Sequence, residues 1–130
     1  MSHTIIDPAR EPWTTRPHAD GEPARHVAEL TDVAGMEHVR ANVWRYEPGA
    51  AGKRHVHAAQ EETFVVLSGT LSIYLGEPPE RHDVPAGSLV HVRPGTPLQS
   101  VNHGDDDLVV YAHGWPGDAG AEVLESAVRR

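Results

Sequence analysis

Short β-prone runs, cut apart at regular intervals by Gly/Pro turns, set the strongest limit on what this chain can fold into. Residues 39–46 form one such run and stop at Glu47-Pro48-Gly49. Residues 62–67 and 70–75 are two more, broken by Ser68-Gly69; they read as a hairpin that ends at Gly76-Glu77-Pro78-Pro79. Pro85-Ala86-Gly87 precedes the run 88–92, and Pro94-Gly95-Thr96-Pro97 precedes 98–101. Asn102-His103-Gly104-Asp105 turns into 108–113, and residues 25–30 make a first strand. This spacing predicts an all-β sandwich or barrel and not a βαβ fold. No segment carries a convincing helical period; the nearest is 121–128, where one or two helical turns are expected.

A chain of 130 residues is one ordinary domain. Residues 1–24 are rich in Pro and charge without any period and read as an irregular N-terminal arm, with a short edge strand near Trp13. The barrel then spans 25–118, and 119–130 is a C-terminal tail. Eleven Lys and Arg face nineteen Asp and Glu, a formal charge of −8. That balance argues against nucleic acid and anionic membrane surfaces as partners, since both select basic patches. The absence of cysteine excludes disulfides, iron–sulfur clusters and thiolate zinc sites. No apolar run approaches a membrane span, and none follows the first residues as a leader would, so a cytoplasmic location is expected.

Chemistry concentrates at His55-Val-His57 and Glu62. Successive side chains of a strand alternate faces, so two imidazoles two residues apart point the same way. A carboxylate five positions later can return to that face after a short turn. Two histidines and one carboxylate suit a divalent metal. Taken alone, His-x-His in a chain with ten histidines reads better as two surface residues on a polar loop after Lys53-Arg54.

The surroundings shift that balance. Gly49-x5-His55-x-His57-x4-Glu62-x6-Gly69 resembles the first conserved motif of the cupin superfamily at every defined position. The second motif of that family, Gly-x5-Pro-x-Gly-x2-His-x3-Asn, is matched at Gly87, Gly95 and Asn102. Arg93 stands at its proline, with Pro94 beside it, and Leu98 at its histidine. The resemblance spans about residues 38–113 and implies a cupin-type jelly-roll β-barrel (a double-stranded β-helix), open at one end.

It also implies a ligand set. His55, His57 and Glu62 carry over as metal ligands; Leu98 cannot donate where the family usually has a fourth. Three ligands with open positions are a competent arrangement, known for non-haem iron; the other reading is a pocket that has lost its metal. Glu61 is the carboxylate most easily confused with Glu62, and the spacing to Gly69 favours Glu62. Leu98, Trp44, Tyr111 and His113 are expected to line the pocket. The implied cofactor is a divalent ion (Fe, Mn, Ni or Zn), and the partners are a small-molecule ligand or substrate and a second copy of the chain in a homodimer. The implied activities are a dioxygenase or an isomerase of a sugar or keto-acid; a non-catalytic binding or sensor module is the alternative that Leu98 favours.

Overall fold

The computed structural model describes residues 2–128. A short 3-10 turn, Pro8–Arg10, is followed by β1 (Thr14–Thr15) and β2 (Arg25–Glu29). Then come α1 (Thr31–Ala34), β3 (Arg40–Tyr46), β4 (His55–His57), β5 (Glu61–Ser68) and β6 (Thr70–Leu75). β7 (Glu80–Pro85), β8 (Leu89–Val92), β9 (Leu98–Val101), β10 (Leu108–Trp115) and β11 (Ala121–Val123) complete the chain. One sheet has the order β1-β2-β3-β10-β5-β8 and the other β11-β4-β9-β6-β7, with every pairing antiparallel. The two sheets face each other as a jelly roll, which is the architecture the strand rhythm and the two motifs predicted.

Alternation along each strand builds the core between the sheets. On β10, Leu108, Val110 and Ala112 are buried and turn inward. They meet Phe64 and Val66 from β5, Leu71 and Ile73 from β6, Val92 from β8 and Leu98 from β9. Each such aliphatic side chain contributes roughly 1.5–3 kcal/mol when fully buried. A second, smaller core lies on the outside of the six-stranded sheet. There Ile6 and Trp13 of the N-terminal arm pack with Met36 over Leu30, Ala41 and Val43, alongside Val109 and Tyr111. The arm is therefore part of the packed body: Thr14 and Thr15 pair with Val27 and His26, and the Trp13 indole donates to the Pro8 carbonyl at 3.0 Å.

The motif residues that are not ligands have structural work. Gly69 turns β5 into β6 at φ 79°, and a Cβ there would sit 2.8 Å from the Asp107 carbonyl oxygen. That position is closed to other residues by backbone conformation and by space. Asn102 is fully buried. Its Nδ2 donates to the carbonyls of Tyr46 and Asp106, both at 2.9 Å, and its Oδ1 accepts from the Gly104 amide at 2.9 Å. One side chain thus ties the turns after β3 and β9 together.

Three features differ from the sequence expectation. Residues 121–128 form no helix: Ala121–Val123 is β11, bonded to β4 with Ala121 opposite His57. So short a segment cannot sustain a helical nucleus, and a sheet edge supplies its backbone partners. β7 was not foreseen because it is polar. Of its six residues only Val84 is buried, as suits a charged edge strand. The single turn α1, closed by Gly35 in the left-handed conformation, was also not foreseen.

Candidate metal centre

β4 and β5 belong to opposite sheets, and the site lies where they meet at the mouth of the barrel. β4 is pinned from several sides. The buried Arg54 guanidinium donates to Glu77 Oε2 at 2.9 Å and to the Gly76 carbonyl at 3.2 Å. His55 is the cross-strand partner of Leu98 on β9, and β11 lies along the other edge. The extended His-Val-His segment then aims both imidazoles inward, with ring centroids 4.9 Å apart and planes near perpendicular. After the turn at 58–60, Glu62 on β5 faces the same cavity.

The turn is fixed by Gln60. It is buried, and its Nε2 donates to the Pro116 carbonyl at 2.8 Å, so it ties the turn to the end of β10 and is no ligand candidate. Glu61 points the other way, with Oε1 3.3 Å from His91 Nε2 on the outside of the sheet.

The ligand atoms of His55, His57 and Glu62 all lie within 4.8 Å of one another. Glu62 Oε1 is 3.4 Å from His57 Nε2 and 3.9 Å from His55 Nε2. His55 Nδ1 lies 2.9 Å from the Lys53 carbonyl. A carbonyl only accepts, so Nδ1 carries the proton and Nε2 presents its lone pair to the centre. Both ring nitrogens of His57 and Glu62 Oε1 are buried with no hydrogen-bond partner among the described residues. Buried polar atoms without partners are uncommon and each calls for a reason. A divalent ion shared by two imidazoles and a carboxylate satisfies Glu62 Oε1 and one nitrogen of His57 together, so the donor set fits such an ion in chemistry and convergence.

The electrostatics agree. Burial works to raise the Glu62 carboxyl, but the two imidazoles outweigh it and hold it at about 2. Burial pulls His55 down, while Glu62 and the Lys53 carbonyl more than offset it, so His55 titrates above its ordinary value.

A cavity of about 190 Å³ opens beside the triad, with Leu98, Trp44, Tyr46, Phe64 and Val110 in its walls. Leu98, 2% exposed and apolar, stands where the resemblance implied a fourth donor. Trp44 lies edge-on to Tyr46 at 6.0 Å between ring centroids. Tyr111 and His113 do not line this cavity, which corrects the sequence expectation. They do share one face of β10, but Val110 holds the cavity face; Tyr111 packs on the outer core beneath the arm, and His113 meets it edge-on at 5.5 Å between ring centroids. Parity along a strand tells which residues share a face, and here both faces of β10 are covered. His26, unpartnered in the sequence reading, bridges Glu47 Oε2 at 2.7 Å and Thr15 Oγ1 at 2.8 Å.

The sequence reading missed Arg16, Arg25, Arg40 and Lys53, which also line the cavity. A signal existed for one of them: Arg40, Asn42, Trp44 and Tyr46 fall at alternate positions of β3 and so share a face.

A jelly roll with an inward His-x-His and a glutamate at its mouth defines a protein class, and the comparisons agree with it. The chain belongs to the cupin family: the family profile described as "Cupin domain" matches residues 42–114. Among solved structures, the chain is similar to an uncharacterised conserved protein with a double-stranded β-helix domain from Klebsiella pneumoniae. That match has 26% identity and a TM-score of 0.73, covering 94% of this chain and 97% of the other. A sugar phosphate isomerase of the cupin superfamily from Silicibacter pomeroyi shares the fold at 22% identity and a TM-score of 0.79, covering 95% and 83%. A predicted oxalate decarboxylase from Thermotoga maritima does so at 16% identity and a TM-score of 0.76, covering 87% and 99%. No curated protein matches the chain in sequence. Among the described residues no helix is long and apolar enough to cross a membrane.

Proposed function

We propose that this cupin holds a divalent metal with His55, His57 and Glu62 and acts on a small organic molecule bound at the open side of that metal, as a dioxygenase. One observation carries the reading: a buried imidazole, a partly buried one and a partly buried carboxylate from two sheets converge within 4.8 Å, and both ring nitrogens of His57 and Glu62 Oε1 have no hydrogen-bond partner among the described residues. When bound, an ion such as iron supplies Lewis acidity and access to O₂. The chain's own residues do the rest. Leu98, Phe64 and Val110 form a dry wall that limits water around the reacting group. Tyr46, its pKa raised by burial against the opposing pull of Arg25, keeps its hydroxyl proton at neutral pH and can donate it into the cavity.

A non-catalytic binding or sensor role is the second reading, and Leu98 favours it because the site is one donor short. Metal analysis of tag-free protein, parent and His57→Ala, tests the site first. Stoichiometric metal in the parent and none in the variant is expected; equal metal in both would sink the proposal. Oxygen uptake against small phenols, thiols and keto-acids then separates enzyme from binder. A homodimer belongs to the same proposal. Leu67 and Leu89 are 51% and 62% exposed on the outer face of β5 and β8, and a monomer in equilibrium sedimentation would remove that part.

A further inference from the structure

The cavity beside the triad is positively charged in a protein that is not. Arg16, Arg25, Arg40 and Lys53 line it, and Glu62 is its one acidic residue. Four cations against one carboxylate contrast with a net charge of −8 for the whole chain. Among the described residues none of these four forms an ion pair. By contrast Arg10, Arg45, Arg54 and Arg81 each stand within 4.0 Å of a carboxylate. An acidic protein that spares cations from its many carboxylates and gathers them in one cavity creates a local field for an anion.

Arg25 is the best placed. Its guanidinium lies 5.3 Å from the Trp44 ring centroid and 5.8 Å from that of Tyr46. Cation–π contact with these two rings holds the planar fork in place and lowers the entropy lost when it binds a planar oxyanion through two hydrogen bonds. Arg16 comes from the other side: its amide donates to the Arg25 carbonyl at 2.9 Å, just beyond β1. The N-terminal arm therefore delivers a second cation to the same opening. A larger groove of about 1000 Å³ continues outward past Arg16, Arg40, Asn42 and Trp44, but it is also lined by Glu29, Asp32, Glu37 and Asp118. The excess positive charge belongs to the inner cavity of about 190 Å³.

We infer that the molecule taken up beside the triad is a small oxyanion, a carboxylate or a phosphate ester, whose charged group is gripped by Arg25 with Arg40 and Arg16 at the rim. This rests on the metal-site reading for what happens to the rest of the molecule, but the anion grip itself does not need the metal.

The test is calorimetric titration of the tag-free protein, metal-loaded and chelator-treated, with pyruvate, inorganic phosphate and neutral pyruvamide. Saturable binding of pyruvate or phosphate is expected, with none of pyruvamide; the stronger of the two anions identifies the carboxylate or phosphate source. Arg25→Gln should weaken that binding about tenfold or more, and Arg40→Gln severalfold, while the metal content of both variants stays at the parental value. Arg93→Gln, an exposed arginine outside the cavity, should change nothing. Arg40 is exposed, so its variant keeps the test decisive if Arg25→Gln does not fold. Failure of both anions to bind the parent, pyruvamide binding as tightly as pyruvate, or parental affinity in the folded arginine variants would each overturn the inference. Metal content separates the two readings: metal without anion binding refutes only the oxyanion, and anion binding without metal refutes only the metal site.

Discussion

Leu98→His is the substitution that most directly interrogates the site. Leu98 is buried at 2% exposure in the main core and is the direct cross-strand partner of His55. Such partners have Cβ atoms about 4.5–5.5 Å apart, so an imidazole at 98 lies next to that of His55 and faces the same cavity. Without metal the change costs the burial of one leucine, roughly 1.5–3 kcal/mol, and leaves ring nitrogens to be satisfied at about 1–3 kcal/mol. The stripped variant should lose about 3–5 kcal/mol and melt roughly 10–20 °C lower, at ~3–4 °C per kcal/mol for a domain of this size. With metal the new nitrogen becomes a fourth donor. Valued at no less than a charge-assisted hydrogen bond, about 1.5–3 kcal/mol, it tightens binding roughly 10- to 100-fold. Chelator competition measures the affinity, and melts of the stripped and loaded forms measure the cost and its recovery. Leu98→Ala is the control: it destabilises both forms and leaves affinity near the parental value. Should folded Leu98→His bind metal no more tightly than Leu98→Ala, position 98 is not aimed at the centre of the triad, and the account of the missing donor is wrong.

Further expectations concern pH and the buried amides. Glu62, held at about 2 against an ordinary 4.5, contributes stability that is complete above pH 4.5 and is lost as pH falls toward 2. The shift amounts to about 3 kcal/mol at ~1.4 kcal/mol per unit. His55, raised above 6.5, contributes stability present below that value and lost as pH rises through its folded titration. Metal-stripped protein should therefore draw most from this cluster between pH 4.5 and 6.5, and melting curves of Glu62→Gln should lack the acid limb. Metal affinity runs the opposite way, falling about tenfold per pH unit for each proton displaced once His55 is protonated. Asn102→Ala, which orphans two carbonyls and an amide, should cost about 2–4 kcal/mol by denaturant melts with little change in metal content. Gln99→Ala should release the tail, because the buried Gln99 donates to Ser126 Oγ and accepts from the Ala127 amide; hydrogen exchange at Leu124 and Ala127 should accelerate while β10 stays protected.

How much of this was legible in the residues follows from what is local. β3, β5, β6 and β8–β10 could be read because β-branched and aromatic side chains alternate within each run and turn residues bound it. The triad could be proposed because a two-residue step puts both imidazoles on one strand face and because the resemblance to the cupin first motif, through its spacing to Gly49 and Gly69, selects Glu62 over Glu61. β7 hid behind its charges, and β11 behind its composition: Ala-Glu-Val becomes a strand only because β4 offers an edge to it. The cationic cavity was hidden for the same reason. Arg25 reaches it through the register that sets it opposite Tyr46, and Arg16 through pairing of the arm with β2, and neither pairing is written in a short window. At Tyr111 and His113 the shared face was right and its direction was wrong, since the arm that covers the outer side lies a hundred residues away.

The way β4 is held has a consequence for when the site comes into being. The strand that carries both histidines makes a single bridge to β9 and is otherwise flanked by β11, more than sixty residues downstream of it. During synthesis His55, His57 and Glu62 leave the ribosome long before the segment that completes their wall. The cavity wall at Ala121 forms only when that segment docks beside His57. On the proposed metal reading, tight capture of an ion therefore belongs to the finished domain and not to the nascent chain.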